Sequence, residues 1–136
     1  MDYRTVPSVC IYCGCGCGML LEVLDGKPVG LLADKGHPVN EGRLCIKGWH
    51  ALEHAMHAER LTTPLIRGKG GSFEEASWDD ALDLVAGRLS AIKKDSGPDS
   101  LAVLTSAKCT NEENYVLMKF ARAALGTNNV DHCARL

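Results

Sequence analysis

The sequence has no apolar run of membrane length, no basic block, no acidic tail, no low-complexity segment and no internal repeat. A membrane helix needs about 20 mostly apolar residues, so no membrane span is expected. Basic and acidic residues are interspersed and the formal net charge is −2, which leaves no electrostatic footprint for nucleic acid. The opening Met1-Asp2-Tyr3-Arg4-Thr5-Val6-Pro7-Ser8 has neither an apolar leader core nor a twin arginine. A cytoplasmic chain is therefore expected. At 136 residues the chain is sized for one domain, or for a small cap on part of a second.

Against these absences stand seven cysteines. Disulfides are disfavoured in a reducing compartment, so clustered cysteines there point to metal or redox chemistry. Cys10, Cys13 and Cys17 form Cys-x2-Cys-x3-Cys, and Cys45 follows after 27 intervening residues. Three close cysteines on a turn can occupy three corners of a tetrahedron, and a returning strand can bring the fourth. Gly14, Gly16 and Gly18 suit a loop that curls tightly and turns N–H groups toward sulfur. Four thiolates suit either a [4Fe–4S] cluster or zinc, and spacing alone leaves both open. Cys15 lies between ligand positions and reads as a small buried residue of a tight loop. Cys109 and Cys133 read as small core or pocket-lining residues. His50, His54 and His57 share spacings of 4 and 3 on an expected helix, where a polar face is the plain reading. Lys47, two residues after Cys45, reads from position alone as a surface lysine.

Local patterns give a coarse architecture. Two apolar runs, 18–24 and 27–33, meet across Asp25-Gly26, a hairpin signal because a type I′ turn needs positive φ at both central residues. Pro28 should stand at a strand start or an edge. A helix is expected from about Gly48 to Arg60, then an irregular crossing loop from Leu65 to Phe73. Ser77 reads as an N-cap, with Trp78, Leu82, Val85, Leu89 and Ile92 as the core-facing stripe of a helix that ends at Asp95-Ser96-Gly97-Pro98. The run 101–104 reads as a strand buried on both faces. Thr110 and Glu113 form a capping box for a helix to about Leu125, closed by Gly126, with Leu117, Phe120, Ala121 and Ala124 toward the core. Val130 begins another strand. The fold class expected is α/β (α+β overall): a small N-terminal β-hairpin domain carrying the cysteine cluster over residues 1–62, then the opening of an open parallel α/β sheet over residues 63–136.

The cysteine spacing with Cys45-Ile46-Lys47-Gly48 resembles the N-terminal iron–sulfur domain of the molybdopterin-dinucleotide oxidoreductases. Arg60 to Leu65 and Ala76 to Leu82 are similar to the segment that follows there. Thr110 to Tyr115 and Gly126 to Arg135 resemble formate dehydrogenase catalytic subunits more than their nitrate reductase relatives. The resemblance runs through nearly the whole chain and selects iron–sulfur over zinc. It implies that Cys10, Cys13, Cys17 and Cys45 are the cluster ligands and that Lys47 relays electrons between cluster and pterin. It also implies formate oxidation to carbon dioxide, or the reverse, at molybdenum or tungsten held by bis-molybdopterin guanine dinucleotide. Electrons would leave for an iron–sulfur or flavin subunit.

Catalytic subunits of that family are several times longer, so this chain would supply only part of the pterin pocket, and the remainder of the subunit is an implied partner. Alone it is expected to be inactive. A free-standing electron-transfer module or a fragment of a related molybdopterin enzyme such as nitrate reductase is the alternative within iron–sulfur chemistry, and a zinc-stabilised interaction domain the alternative outside it. In formate dehydrogenases the stretch resembling Val130 to Leu136 is followed by the metal-ligating cysteine or selenocysteine. The expectation is therefore a selenocysteine at position 137, encoded by UGA.

Overall fold

A computed structural model describes residues 1–133. The expectation attached to Ala134, Arg135 and Leu136, at the junction with a metal-ligating residue, lies outside the described residues. Two compact units are present. The first contains Met1–Arg60 and Thr105–Tyr115 together with His132 and Cys133, and the second contains Leu61–Leu104 and Val116–Asp131.

In the first unit, β1 (Tyr3–Val9), β2 (Gly18–Leu24) and β3 (Lys27–Ala33) form an antiparallel sheet in that order. The expected hairpin is β2–β3, and its turn has Asp25 at φ 47° and Gly26 at φ 80°. Both residues occupy the left-handed region that the type I′ turn demands. Pro28 lies on the edge strand, where a missing N–H costs no ladder bond. The register slips between Glu22 and Val23, which pair with Gly30 and Pro28, so Val29 is the extra residue of a bulge. Strand β1 is not among the elements that sequence patterns mark. It pairs along its whole length with β2, from Tyr3 opposite Leu24 to Val9 opposite Gly18, and makes β2 the central strand.

The helix expected from Gly48 to Arg60 is instead two short pieces, α1 (Ile46–Trp49) and α2 (Ala51–Ala55). The break falls at His50, whose φ of −101° and ψ of 13° leave the helical region while its imidazole pairs with Glu53 at 2.8 Å. The core of this unit is small. Cys10, Met19 and Ala51 are buried, with Tyr12, Cys17, Leu21, Leu31 and Leu44 packed against them. Two of the expected ligands are thus also core residues.

In the second unit the expected crossing loop is a hairpin of β4 (Leu65–Arg67) and β5 (Phe73–Glu75). The Arg67 guanidinium stacks 4.3 Å above the Phe73 ring and donates to the Gly71 carbonyl at 2.6 Å, which closes the turn. Next comes α3 (Trp78–Ser96), capped by Ser77, whose Oγ accepts from the Asp80 N–H at 3.1 Å and donates to the Asp80 carboxylate at 2.6 Å. A short 3₁₀ turn (Pro98–Ser100) leads to β6 (Val103–Ser106). The capping box forms as expected: Thr110 N–H donates to Glu113 Oε2 at 2.7 Å and Glu113 N–H to Thr110 Oγ1 at 3.2 Å. It opens α4 (Asn111–Phe120), whose last turn widens to π geometry over Ala121–Leu125 before Gly126 at φ 84°. Then β7 (Val130–Cys133) follows.

Strands β6 and β7 pair with each other. Val103 N–H donates to the Asn129 carbonyl and, four residues on in each strand, Ala107 N–H to the Cys133 carbonyl, so they run parallel. The order helix, strand, helix, strand is the expected one.

Two expectations fail for one reason. The run 101–104 is not buried on both faces, since Leu104 is 80% exposed. The α3 stripe is not core-facing among the described residues, since Trp78, Leu82, Val85 and Ile92 are all exposed. Two paired strands and two helices do not supply enough layers to cover these faces. Of the α4 residues expected inward, Ala121 is fully buried and Leu117 half-buried, while Phe120 and Ala124 stay exposed.

Candidate iron–sulfur site

The topology of the three-stranded sheet carries four cysteines to one end. The last β1–β2 pair is Val9 with Gly18, and beyond it Cys10 N–H donates to the Cys17 carbonyl at 2.8 Å. This bond closes a loop holding Cys10, Cys13, Cys15 and Cys17. Strand β3 finishes at the same end, because Ala33 pairs with Met19. From there residues 34–44 need only cross the sheet end to bring Cys45 to the N-cap of α1.

Cys10, Cys13, Cys15, Cys17, Cys45 and Lys47 line one cavity of about 360 Å³, with Leu44, Ile46, Gly48, Ala107 and Lys108. The structure thus brings together every expected ligand and Lys47. Lys47 is exposed, as a surface lysine would be, but stands on the cavity wall. Cys13 adopts φ 49°, a left-handed conformation that costs an L-residue roughly 1–2 kcal/mol. Such strain persists where the surroundings impose it, as at a ligand clamp.

Electrostatics within the cavity follow from crowding sulfur. Burial, then the neighbouring Cys10, Cys13 and Cys45, push the Cys17 thiol above its usual range. Cys45 is lowered by the Gly48 and Lys47 backbone N–H groups, with the Lys47 charge adding to them. The thiolates oppose one another's ionisation unless cations sit among them, which is the donor chemistry of a metal cluster. Among the described residues, no three His, Cys, Asp or Glu side chains converge closely enough to hold a single metal ion.

Cys15 corrects an expectation. It is exposed, not buried, and lines the same cavity, its thiol raised by a hydrogen bond with Cys13 and by the surrounding cysteines. Gly16 follows at φ 67°, in the left-handed region that glycine adopts without steric cost. Cys133 is likewise exposed on β7, with Sγ 3.3 Å from Ser106 Oγ. That hydroxyl, the Ala107 amide and the Lys108 charge lower its pKa. Cys109 is half-buried. His50, His54 and His57 line an open hollow with Tyr12, Lys47 and Glu53.

Three residues that hold the cysteine arms escaped the sequence reading. Asn111, at the start of α4, donates to the Gly14 carbonyl at 3.0 Å across 97 residues of sequence. Asn40 and His37, in the loop between β3 and Cys45, both meet Gly18. The Asn40 carboxamide hydrogen-bonds its backbone, and the His37 ring occupies the space where a side chain at 18 would go. The sequence marks this stretch only as a loop containing Gly36, His37, Pro38 and Asn40, without singling out a residue.

Comparison with known proteins matches residues 3–57 to the molybdopterin oxidoreductase Fe4S4 domain and residues 60–136 to molybdopterin oxidoreductase. The chain is 53% identical to the F420-dependent formate dehydrogenase 2 subunit alpha of Methanococcus maripaludis, covering 99% of this chain and 19% of that protein. It is 48% identical to formate dehydrogenase H of Escherichia coli, covering 98% of this chain and 19% of that one. The chain therefore spans about a fifth of the length of these relatives. Among solved structures, acetylene hydratase from Pelobacter acetylenicus superposes with a TM-score of 0.69 at 30% identity, over 93% of this chain and 18% of that one. Since the second family match alone takes in more than half of its residues, the chain belongs to the molybdopterin oxidoreductase family and carries that family's Fe4S4 domain at its start.

Proposed function

We propose that Cys10, Cys13, Cys17 and Cys45 ligate one [4Fe–4S] cluster and that the chain is the N-terminal electron-transfer portion of a formate dehydrogenase catalytic subunit. The observation that carries the reading is the convergence of these four thiols and Lys47 on one cavity at one sheet end. The bound cluster supplies one-electron transfer. The chain's own residues would hold it by four sulfurs, with Leu44 and Ile46 on the cavity wall, and would set its electrostatics. The Lys47 ammonium beside the thiolates favours added negative charge and so the reduced state. This suits Lys47 for an electron relay toward the pterin.

The division into a cluster domain, 1–62, and the start of a pterin-binding α/β domain, 63–136, is part of the proposal and is supported by the two family matches. In the complete enzyme we assign the cofactor as bis-molybdopterin guanine dinucleotide with molybdenum or tungsten, the protein ligand to the metal as cysteine or selenocysteine, and the electron acceptor as an iron–sulfur or flavin subunit. The names of the relatives support formate as substrate. Seven free thiols suit a reducing, cytoplasmic setting, and no helix among the described residues is long and apolar enough to cross a membrane. The fold does not by itself choose the reaction, since the structural neighbour is named a hydratase.

The test is a graft. These 136 residues replace the matching segment of Escherichia coli formate dehydrogenase H, and formate-dependent reduction of a viologen dye is measured. Retained turnover supports the reading. A graft that loads its cluster and pterin yet does not oxidise formate overturns it.

A further inference from the structure

Asn40 is one of two buried polar side chains among the described residues, the other being Thr127. Its carboxamide is shared between two chain segments. Oδ1 accepts from the Gly18 N–H at 2.7 Å, while Nδ2 donates to the Gly18 carbonyl at 3.0 Å and to the Arg43 carbonyl at 2.8 Å. The Arg43 N–H returns a bond to the Asn40 carbonyl at 2.8 Å. Gly18 directly follows Cys17, and Arg43 stands two residues before Cys45. One amide therefore ties the arm that ends in the third cysteine to the arm that delivers the fourth. No other side-chain hydrogen bond among the described residues joins those arms.

The residue type fits the task. A carboxamide offers an acceptor and two donors at once, and an aspartate of the same shape only accepts. Three of the four cysteines are set by one short loop, closed by the bond from Cys10 to Cys17. The fourth arrives from a separate segment, so its distance from the other three is the free variable of the cage. We propose that Asn40 is a positioning residue for the cluster, fixing Cys45 relative to Cys17. This rests on the ligand set proposed above.

The test uses the chain reconstituted anaerobically with ferrous iron and sulfide, as wild type, Asn40→Ser, Asn40→Asp and Thr127→Val. Thr127 is the control because it is equally buried but bonds Asp99 and Asn129, away from the cysteines. Iron release to a ferrous chelator and the paramagnetic resonance spectrum of the dithionite-reduced cluster are read. With both bonds donated by Nδ2 removed, the Arg43 carbonyl deprived of that donor and the Gly18 carbonyl left only its bond from the Asp34 N–H, Asn40→Asp should release iron on the order of 10- to 100-fold faster. Asn40→Ser should fall between it and wild type. Both should change the g-values or linewidth of the reduced cluster, and Thr127→Val should leave rate and spectrum as in wild type. Wild-type behaviour of both Asn40 variants overturns the proposal. So does a Thr127→Val chain that loses iron as fast with the same spectral change, since the effect would then be general destabilisation. A wild-type chain that binds no iron and sulfide would instead sink the ligand set, which is a separate and distinguishable failure.

Discussion

Gly18→Ala should break the cluster site although it touches no sulfur. A Cβ at position 18 would overlap the His37 imidazole and come within 2.6 Å of the His37 Cβ. Gly18 cannot retreat, because its N–H and carbonyl are both held by Asn40 and its carbonyl also accepts from Asp34 N–H at 3.2 Å. The loop bearing His37 must move instead, and that loop leads to Cys45. Overpacking of this kind costs about 1–3 kcal/mol, which corresponds to a roughly 5- to 150-fold weaker hold on the native arrangement. Chelator-driven iron release from the reconstituted chain measures it. His37→Ala should rescue poorly, since its own Cβ stays in the way, whereas His37→Gly should restore most of the retention. The remaining deficit would reflect the added backbone freedom of glycine, about 0.5–1 kcal/mol. The double-variant cycle should give a coupling well outside additivity. Wild-type iron retention in Gly18→Ala, or additive loss in Gly18→Ala/His37→Gly, would refute the close-approach argument.

Further outcomes follow from other contacts. Lys47→Met, made in the grafted enzyme, should leave cluster and pterin in place but slow electron delivery about tenfold, equivalent to 1.4 kcal/mol on the barrier; unchanged turnover with the natural acceptor would end the relay role. Ser77→Ala removes the cap on α3 and should cost about 1 kcal/mol, lowering the melting temperature by about 4 °C without altering iron content. Asn111→Ala removes the bond to Gly14 and should speed iron release by about fivefold, for the loss of roughly 1 kcal/mol. A release rate equal to wild type would mean that α4 does not brace the cysteine loop.

Where local chemistry sets structure, the sequence was informative. The Asp25-Gly26 turn, the Ser77 cap and the Thr110–Glu113 box each depend on a few adjacent residues and form as read. The cysteine spacing pointed to a shared site because a hairpin between the third and fourth cysteines returns the chain to its starting end. Burial was poorly legible. The stripe on α3 has helical periodicity, but periodicity names a face and not its cover, and here that face stays open. Strand β1 went unread because Pro7 interrupts its pattern. A proline is tolerated there because β1 is an edge strand, a property of the sheet and not of the segment. The break at His50 is a backbone departure, at φ −101° and ψ 13°, that no residue pattern in the segment marks. Asn40 was illegible for a similar reason: its partners are backbone atoms, which no residue pattern marks.

Metal and sulfide content of the anaerobically reconstituted chain, measured on wild type and on the five single alanine variants of Cys10, Cys13, Cys15, Cys17 and Cys45, bears most directly on the cluster. One [4Fe–4S] cluster requires about four iron and four sulfide per wild-type chain, with a brown chromophore. Cys15→Ala should retain that complement, and each of the other four should lose it. Stoichiometric zinc without sulfide, a full cluster surviving in Cys45→Ala, or loss of the cluster in Cys15→Ala would contradict the ligand set.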